Sequence, residues 1–401
     1  MQAFSVKAVC GSHGGIGVRV PHGRVLLHPR MKHQHAGHTA VQAQSSGDEG
    51  ASPQDERKDA SALVPSKPNS PLGEMAAYYL EMQPHLFQTT VENAFEQLKE
   101  ESESAQGAEP SSDSVDLVLS RRIQEVKEAE AAMAIEDLMY ICILDKFRQI
   151  GVNMMANLGP IHEDMDTLRA LTEGVHTKEA IEMVKEHMLG ALGPASMAYG
   201  DTVIKMSKLQ SAQVYAASIM FGYFLRRVDS RYQLSKQVGV LPESKEDAVA
   251  RLERLFASVE DEDVEGSSND QSTEESKSSE KGALRRYVES FDEEAMMATA
   301  RLVTREGAAL VERQTEALFG DAKKLQAEMQ EAVGLDAASM EELMQRVQEA
   351  VASDKVESVT MTVATQRRAV LEAVAYGCFL RDIETWVDTD YGLLNPATQN
   401  L

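Results

Sequence analysis

The sequence predicts an all-α protein in which duplicated helical units, each with a buried central helix, are joined by a disordered acidic linker. Runs of β-branched residues with period-two alternation are scarce. Aromatic residues make up only 5% of the chain, whereas there are 20 Met residues, a balance typical of closely packed helices. The segment Val214–Leu234 is almost wholly apolar as far as Leu225 and is then charged. Such a pattern predicts a helix that is buried on nearly every side and emerges into solvent at its C-terminal end.

A second segment, Ala369–Leu394, has the same pattern near the C-terminus. Aligning FGYFLRRVD (Phe221–Asp229) with YGCFLRDIE (Tyr376–Glu384) gives four identities in nine positions. Thr177–Gly193 and Thr304–Gly320 also match, because each begins at a Thr that can cap a helix and ends at a Gly that can stop one. These two matches predict the duplication.

The first 47 residues have the composition of an organelle transit peptide. They contain five of the 40 Lys and Arg residues and none of the 64 Asp and Glu residues. This acid-poor, basic segment is predicted to be a plastid transit peptide that is removed, although a mitochondrial address or a disordered tail would have a similar composition. Residues 48–70 are polar and rich in Pro, and they predict a disordered linker.

Residues 71–259 are predicted to form the N-terminal helical domain, which contains the first repeat. Pro71 suits the first position of a helix that follows Ser70, and Pro84 ends that helix before a second one. A long helix is predicted within Val115–Met155, with Gly151 as the residue that ends it, and a short one over Arg251–Val259. The long helix carries apolar residues that recur at helical spacing, among them Leu119, Ile123, Val126 and Met133.

Residues 260–281 have almost no apolar side chains and predict a disordered acidic linker. Beyond it, residues 282–395 are predicted to form the C-terminal helical repeat, beginning with one helix over LRRYVESFDEEAMMATARLV. Residues 321–353 lengthen the second repeat and are patterned as an acidic helical insert.

The net charge of −24 restricts the class of partner. Because the first 47 residues are basic, the remaining chain has a net charge of −29, which repels nucleic acid and anionic membranes at long range. The three Cys residues have no paired spacing, so neither a zinc site nor a disulfide framework is predicted. Cys142 and Cys378 are expected to be buried, inert thiols. No apolar run is long enough for a transmembrane helix.

No catalytic signature, metal site or cofactor is predicted, and the candidate residues lie on the two central segments. Gly222 and Gly377 predict a close helix crossing, with a ligand that touches the backbone as the alternative. Six charged residues at the ends of these segments predict either structural ion pairs or a surface that docks a partner. They are Arg226, Arg227, Asp229, Arg381, Asp382 and Glu384. The loop His162–Asp166 and the residues His176 and His187 are expected at the surface.

Several segments resemble one known family. In chain order they are SPLGEMAAYYLEMQPHLFQTTVENAFEQL, VDLVLSRRIQEVKEAEAAMAIEDLMYICILDKF, SKLQSAQVYAASIMFGYFLRRVDSRYQL, LRRYVESFD, TREGAALVERQTEALFG and RAVLEAVAYGCFLRDIETWVDTDYGLL. Together they resemble the UV-B-induced chloroplast proteins of plants and algae, the family called domain of unknown function 760. The resemblance covers most of Ser70–Leu394 and implies a plastid location. It implies no reaction, cofactor or catalytic residue.

The predicted function is therefore a stromal chloroplast protein, responsive to stress or light, that acts by binding other plastid proteins rather than by catalysis. The alternative is a carrier or enzyme for a tetrapyrrole, lipid or isoprenoid, with a pocket between the core helices near Gly222 and Gly377. A protein adsorbed on a membrane surface is a third possibility, which the acidic charge disfavours.

Overall fold

The computed structural model describes residues 66–106, 114–159, 164–194, 200–239, 282–334 and 340–397. Within these ranges the chain is mostly helical, as predicted, with one two-stranded sheet. The predicted transit peptide, the acidic linker 260–281, the Arg251–Val259 helix and most of the linker 48–70 lie outside the described residues.

The first group of elements precedes the predicted acidic linker in the chain. It consists of α1 (Pro71–Met82), α2 (Pro84–Gln106), α3 (Ser114–Gln149), α4 (Met165–Glu173), α5 (Lys178–Leu192), β1 (Val203–Ser207) and α6 (Lys208–Val238). The second group follows the linker. It consists of α7 (Ala283–Glu289), α8 (Glu293–Ala300), α9 (Arg305–Phe319), α10 (Ala322–Val333), α11 (Met340–Ala352), β2 (Ser358–Thr362) and α12 (Val363–Asp390).

Side-chain caps explain where the predicted helices begin. The hydroxyl oxygens of Ser70, Thr177 and Thr304 each accept a hydrogen bond from a backbone N–H in the first turn of α1, α5 and α9. Gly193 and Gly320, with φ of 78° and 91°, end α5 and α9. The helix boundaries predicted from these residues are confirmed.

The segment predicted as one helix after the acidic linker is two helices. α7 ends at Glu289, and α8 begins after Asp292, whose carboxylate accepts a hydrogen bond from the N–H of Ala295 at 2.7 Å. Because this carboxylate caps a new helix, Asp292 interrupts a pattern that otherwise keeps helical spacing. The long α3 ends at Gln149, just before Gly151, the residue predicted to end it.

The two-stranded sheet was missed by the sequence analysis. β1 and β2 pair antiparallel, with Val203 opposite Thr362 and Ser207 opposite Ser358. Each strand has five residues, too few for a clear alternation of polar and apolar positions, and its partner is far away in the chain. Each strand leads directly into one of the two long helices α6 and α12, which consequently begin earlier than predicted.

α6 and α12 pack against each other and form the centre of the core. α9, α8 and α10 pack on α6, whereas α3, α4 and α5 pack on α12, and α1 lies along α3. Tyr215, Ile219 and Tyr223 of α6 and Val374 and Tyr376 of α12 are at most 2% exposed. α10 and α11 enclose a small separate cluster, formed by Val333, Ala350, Val351 and Val356. Three of its four residues lie in the segment 321–353 that was predicted as the helical insert, and Val356 follows it.

Candidate functional site

Gly222 and Gly377 lie where α6 and α12 cross. A Cβ atom added to Gly222 would lie 2.0 Å from the carbonyl oxygen of Val374 on α12. A Cβ atom added to Gly377 would lie 2.0 Å from the carbonyl oxygen of Ile219 on α6. Neither position has room for a side chain, since both neighbours are backbone atoms. The contact is reciprocal, because each glycine faces the residue three positions before the other glycine.

Glu384 is the centre of a buried hydrogen-bond network beside this crossing. Its side chain is 1% exposed and accepts hydrogen bonds from the N–H and hydroxyl of Thr304 and from the hydroxyl of Tyr223. The guanidinium of Arg381 contacts the same carboxylate at 2.5 Å. Burial, together with the charge of Glu384, raises the pKa of Tyr223 to about 12. The network fastens the start of α9 to both core helices.

Asp229 has the corresponding position on α6. Its Oδ1 atom accepts hydrogen bonds from the hydroxyl of Thr177 at 3.0 Å and from the amide of Gln233 at 3.1 Å. Thr177 caps α5 as Thr304 caps α9. In each half of the described structure, an acidic side chain of a core helix therefore accepts a hydrogen bond from the Thr that caps the neighbouring helix.

The remaining charged candidates also contact groups within the chain. Arg226 donates to both carboxylate oxygens of Asp382, at 2.7 and 2.6 Å, which links α6 to α12. The guanidinium of Arg227 donates to the backbone carbonyls that end α8, at Ala298, Thr299 and Arg301. The structure thus brings the predicted charged residues together around the ends of the two core helices.

The prediction that His176 and His187 are surface residues is wrong. His176 is 9% exposed, because it precedes α5 where the chain packs on the core, and its Nδ1 lies 3.8 Å from the sulfur of Cys378. The ring of His187 stacks on Phe221 with centroids 4.1 Å apart, and its Nε2 lies 3.0 Å from the hydroxyl of Ser218. Burial lowers the pKa of each imidazole to about 4, so both are neutral at pH 7.

Both described cysteines are buried, as predicted. Cys142 lies in α3, and Cys378 lies in α12 with its thiol 3.2 Å from the carbonyl oxygen of Gly222. Burial raises the pKa of both thiols well above the usual range. Because the thiolate is the reactive form, these cysteines are unreactive while the fold is intact.

Glu372 is a buried acidic residue that the sequence analysis did not identify. It belongs to α12 and is fully buried, and its two oxygens accept a hydrogen bond from the N–H of Met155 at 3.0 and 3.1 Å. Burial raises its pKa to about 7, and the Met155 bond and the charge of Arg368 only partly oppose this shift. A single Glu within the apolar run AVLEAVAYG was the available signal.

Replacing this buried acid with an amide tests its role. The pKa of Glu372 is higher in the folded state than in the unfolded state, so folding takes up protons between pH 4.5 and 7. The stabilisation that the protonated carboxyl group provides is therefore lost as the pH rises through about 7. Glu372→Gln keeps an acceptor for Met155 but cannot ionise. We expect the free energy of unfolding of the variant, relative to wild type, to rise by roughly 3 kcal/mol between pH 4.5 and 8. Urea unfolding across this range measures the difference.

Glu341→Gln, on the exposed face of α11, is the control for that experiment. Its stability relative to wild type should not follow the same pH profile. A Glu372→Gln variant whose relative stability does not change with pH would contradict the assignment.

Asp137 is a second buried acid that sequence reasoning missed. It is 0% exposed and accepts hydrogen bonds from the N–H groups of Asn69 and Ser70 at 2.7 and 2.6 Å. Arg313 of α9 contacts it at 2.6 Å and also lies over the ring of Tyr140. Asp137 therefore links the residues just before α1 to both α3 and α9.

The core contains a small cavity between α6, α9 and α12. Its volume is about 20 Å³, and its lining includes Val214, Tyr215, Phe319, Met361 and Ala369. A cavity of this size has room for one water molecule at most.

The described residues contain no group of three or more His, Cys, Asp or Glu side chains placed to hold a metal ion. Of the loop predicted at His162–Asp166, His162 and Glu163 lie outside the described residues, whereas Asp164 caps α4 and Met165 is exposed. Within the described part of the chain, no helix combines the length and apolar content needed to cross a bilayer.

The fold defines a class of helical protein built on two long helices that cross at a pair of glycines, with a buried acidic residue on each helix near the crossing. The family described as "Protein of unknown function (DUF760)" matches residues 118–238, from the first turns of α3 to the end of α6. The chloroplastic UV-B-induced protein of Arabidopsis thaliana is 32% identical over 346 residues, covering 82% of this chain and 77% of that protein. No solved structure matches the chain. The chain belongs to the DUF760 family, in agreement with the resemblance found in the sequence.

Proposed function

We propose that this is a chloroplast protein that binds another protein through an exposed apolar stripe on α1 and α2. Four apolar side chains support the proposal: Met75, Tyr78, Met82 and Leu86 are 37, 54, 65 and 41% exposed. Met75, Tyr78 and Met82 recur at helical spacing, so they lie on one face of α1, and Leu86 lies in the first turn of α2, just beyond the break at Gln83. Exposed apolar side chains grouped on a surface are typical of a protein-binding site. The name of the relative, a chloroplastic UV-B-induced protein, supports the location and a link to light stress.

Charge indicates which kind of partner would fit. Glu74 lies beside Met75, and Glu81 lies beside Met82, so acidic side chains flank the apolar stripe. The whole chain has a net charge of −24. A complementary partner would therefore present an amphipathic helix with basic residues beside its apolar face. We assign the stripe to such a helix of another plastid protein, and we place both in the stroma.

The six charged residues at the ends of the core helices have a structural role in this proposal. Arg226 and Asp382 pair with each other, Arg227 holds the end of α8, and Asp229 and Glu384 hold the caps of α5 and α9. Reversing Arg226 or Arg227 would therefore disturb the fold before it disturbed any docking surface.

We also propose that the two halves descend from one duplicated unit. The offset of 155 residues between Gly222 and Gly377 also relates Asp229 to Glu384 and relates β1 to β2. The contacts are reciprocal at the glycines and at the strand pair, as expected for two copies related by an approximate two-fold axis. The transit peptide, the acidic linker and the boundaries of the two domains remain predictions.

A carrier or enzyme with a pocket between the core helices is less well supported. The two glycines bring the backbones of α6 and α12 into contact, and the nearby cavity of about 20 Å³ is far below the roughly 300 Å³ of a small ligand pocket. Such a function would require the helices to separate.

A photo-crosslinking residue at position 78 tests the proposed stripe. The full chain carrying it in place of Tyr78 is mixed with chloroplast extract and irradiated, and the crosslinked protein is identified and purified. We expect a protein whose crosslinked segment is a basic amphipathic helix. Met82→Glu should weaken its binding to the purified partner at least roughly tenfold, because a charge then faces the apolar surface of that helix.

Met165 on α4 is the matched control, since it is 71% exposed and lies outside the stripe. A crosslinking residue at position 165 should not capture the same protein, and Met165→Glu should leave the affinity unchanged. Equal capture at both positions, no discrete product at position 78, or binding that is insensitive to Met82→Glu would refute the proposal. Native mass spectrometry separates the carrier alternative, which requires a mass excess of a few hundred daltons lost on denaturation.

A further inference from the structure

The chain that follows α3 forms a loop, residues 151–159, which lies against α12. The loop has neither helix nor strand, yet four of its apolar side chains are at most 8% exposed. They are Val152, Met154, Met155 and Leu158. At the far end of the loop, the hydroxyl of Thr365 on α12 donates a hydrogen bond to the carbonyl oxygen of Gly159 at 3.2 Å. The loop is therefore held by side-chain burial and by contacts with α12 rather than by regular secondary structure.

Two charged side chains of α12, one turn apart, hold the backbone at the near end of the loop. The guanidinium of Arg368 donates to the carbonyl oxygen of Asn153 at 2.9 Å. The carboxyl group of Glu372 accepts the N–H of Met155 at 3.0 and 3.1 Å. Positions 365, 368 and 372 follow helical spacing, so all three contacts lie on one face of α12.

The carboxyl group of Glu372 is poorly solvated while the loop is closed. It is 0% exposed, and within the described residues the Met155 N–H is its one hydrogen-bond donor, whereas a carboxylate has about four acceptor sites. Arg368 is the charged group that acts on it most closely. Tyr140 of α3 and Tyr215 of α6 face it from the neighbouring helices, and burial raises the pKa of both, so they stay neutral. Ionised Glu372 is therefore costly in the closed loop.

We propose that the 151–159 loop is a pH-sensitive latch, which the protonated carboxyl group of Glu372 holds closed on α12 and which opens when that group ionises. Opening admits water to the carboxylate while α6 and α12 stay packed. It uncovers Met154 and Met155, and it removes Leu158 from the wall of the small core cavity. This device lies within one chain, and it does not depend on the proposed partner of the α1–α2 stripe.

The direction of the pH dependence follows from burial. With the loop closed the pKa of Glu372 is about 7, and it returns toward its usual 4.5 once water reaches the group. The closed loop therefore binds the proton more tightly, and the advantage that the proton gives it is lost as the pH rises through about 7. The equilibrium constant for opening should rise roughly 50-fold between pH 5 and 8 and then remain level.

Oxidation of the full chain by hydrogen peroxide, followed by peptide mass spectrometry, tests the inference. Peroxide converts an accessible methionine to its sulfoxide, so Met154 and Met155 react only when the loop is open. Their oxidation should accelerate roughly 50-fold between pH 5 and 8, in step with opening. Met165, which is 71% exposed, reports the reagent itself and should react at a nearly constant rate. Met139 of α3, which is 0% exposed, should react far more slowly at every pH, because uncovering it requires the core to unfold.

A pair of variants assigns the pH dependence to Glu372. Glu372→Gln keeps an acceptor for the Met155 N–H but cannot ionise, so oxidation of Met154 and Met155 should no longer change with pH relative to Met165. Glu341→Gln, on the exposed face of α11, should behave as the wild type does. Circular dichroism verifies that the helical content of both variants is preserved.

Three results would overturn the inference. One is oxidation of Met154 and Met155 in the wild type that is independent of pH. Another is a rise with pH that survives in Glu372→Gln. The third is oxidation of Met139 as fast as that of Met154, which would show that the whole protein unfolds rather than the loop alone.

Discussion

Gly222→Ala is expected to destabilise the fold by about 3 kcal/mol, although alanine is the better helix former. The added methyl group would lie 2.0 Å from the carbonyl oxygen of Val374, so α6 and α12 would have to move apart. Backbone atoms cannot rotate away as a side chain can, and the buried residues on both sides of the crossing would lose contact. The free energy of unfolding from urea denaturation measures this loss, and Gly377→Ala should have a similar effect because the contact is reciprocal.

Gly190→Ala provides the control, because Gly190 lies in α5 with nothing within 4 Å of an added Cβ atom. This substitution should increase stability by up to about 1 kcal/mol through helix propensity. If Gly222→Ala changed stability in the same direction as Gly190→Ala, the close crossing of α6 and α12 would be wrong.

Glu384→Ala should destabilise the protein by about 3 kcal/mol or more. The substitution removes the acceptor for the N–H and hydroxyl of Thr304 and for the hydroxyl of Tyr223, all in a buried site. It also leaves the partly buried Arg381 without its carboxylate partner. The cost of unsatisfied buried groups exceeds that of an exposed pair, because water cannot replace the lost contacts. Chemical denaturation of the variant at pH 7 gives the magnitude.

Asp382→Ala is the corresponding control at the solvent-facing side of α12. Asp382 pairs with Arg226, but their side chains are 33% and 29% exposed. Water can solvate the remaining guanidinium, so the loss should be below about 1 kcal/mol. A larger effect for Asp382→Ala than for Glu384→Ala would contradict the assignment of Glu384 as the centre of the network.

Local sequence signals predicted the helical class and several helix boundaries. Ser70, Thr177 and Thr304 were recognised as helix starts because capping depends on residues within one turn. β1 and β2 were missed because each strand is short and its partner lies far away in the chain. Glu372 and Asp137 were missed because burial of a single charged residue is decided by packing between distant helices. His176 and His187 were placed wrongly at the surface for the same reason.

The apolar face in the first half of α3 shows what periodicity alone does not report. Ile123, Val126 and Met133 have the spacing of a buried face, yet they are 48, 45 and 43% exposed. Periodicity reports that a helix has an apolar face, but it does not report what covers that face. No element among the described residues covers this face of α3.

Hydrogen–deuterium exchange of the full chain tests whether α6 and α12 form one core held at their glycine crossing. We expect the amides of both helices around Gly222 and Gly377 to exchange at a common slow rate, set by unfolding of the whole protein. Gly222→Ala should accelerate both helices together. Slow exchange in one helix with faster, independent opening of the other would contradict the claim and show two halves that are stable separately.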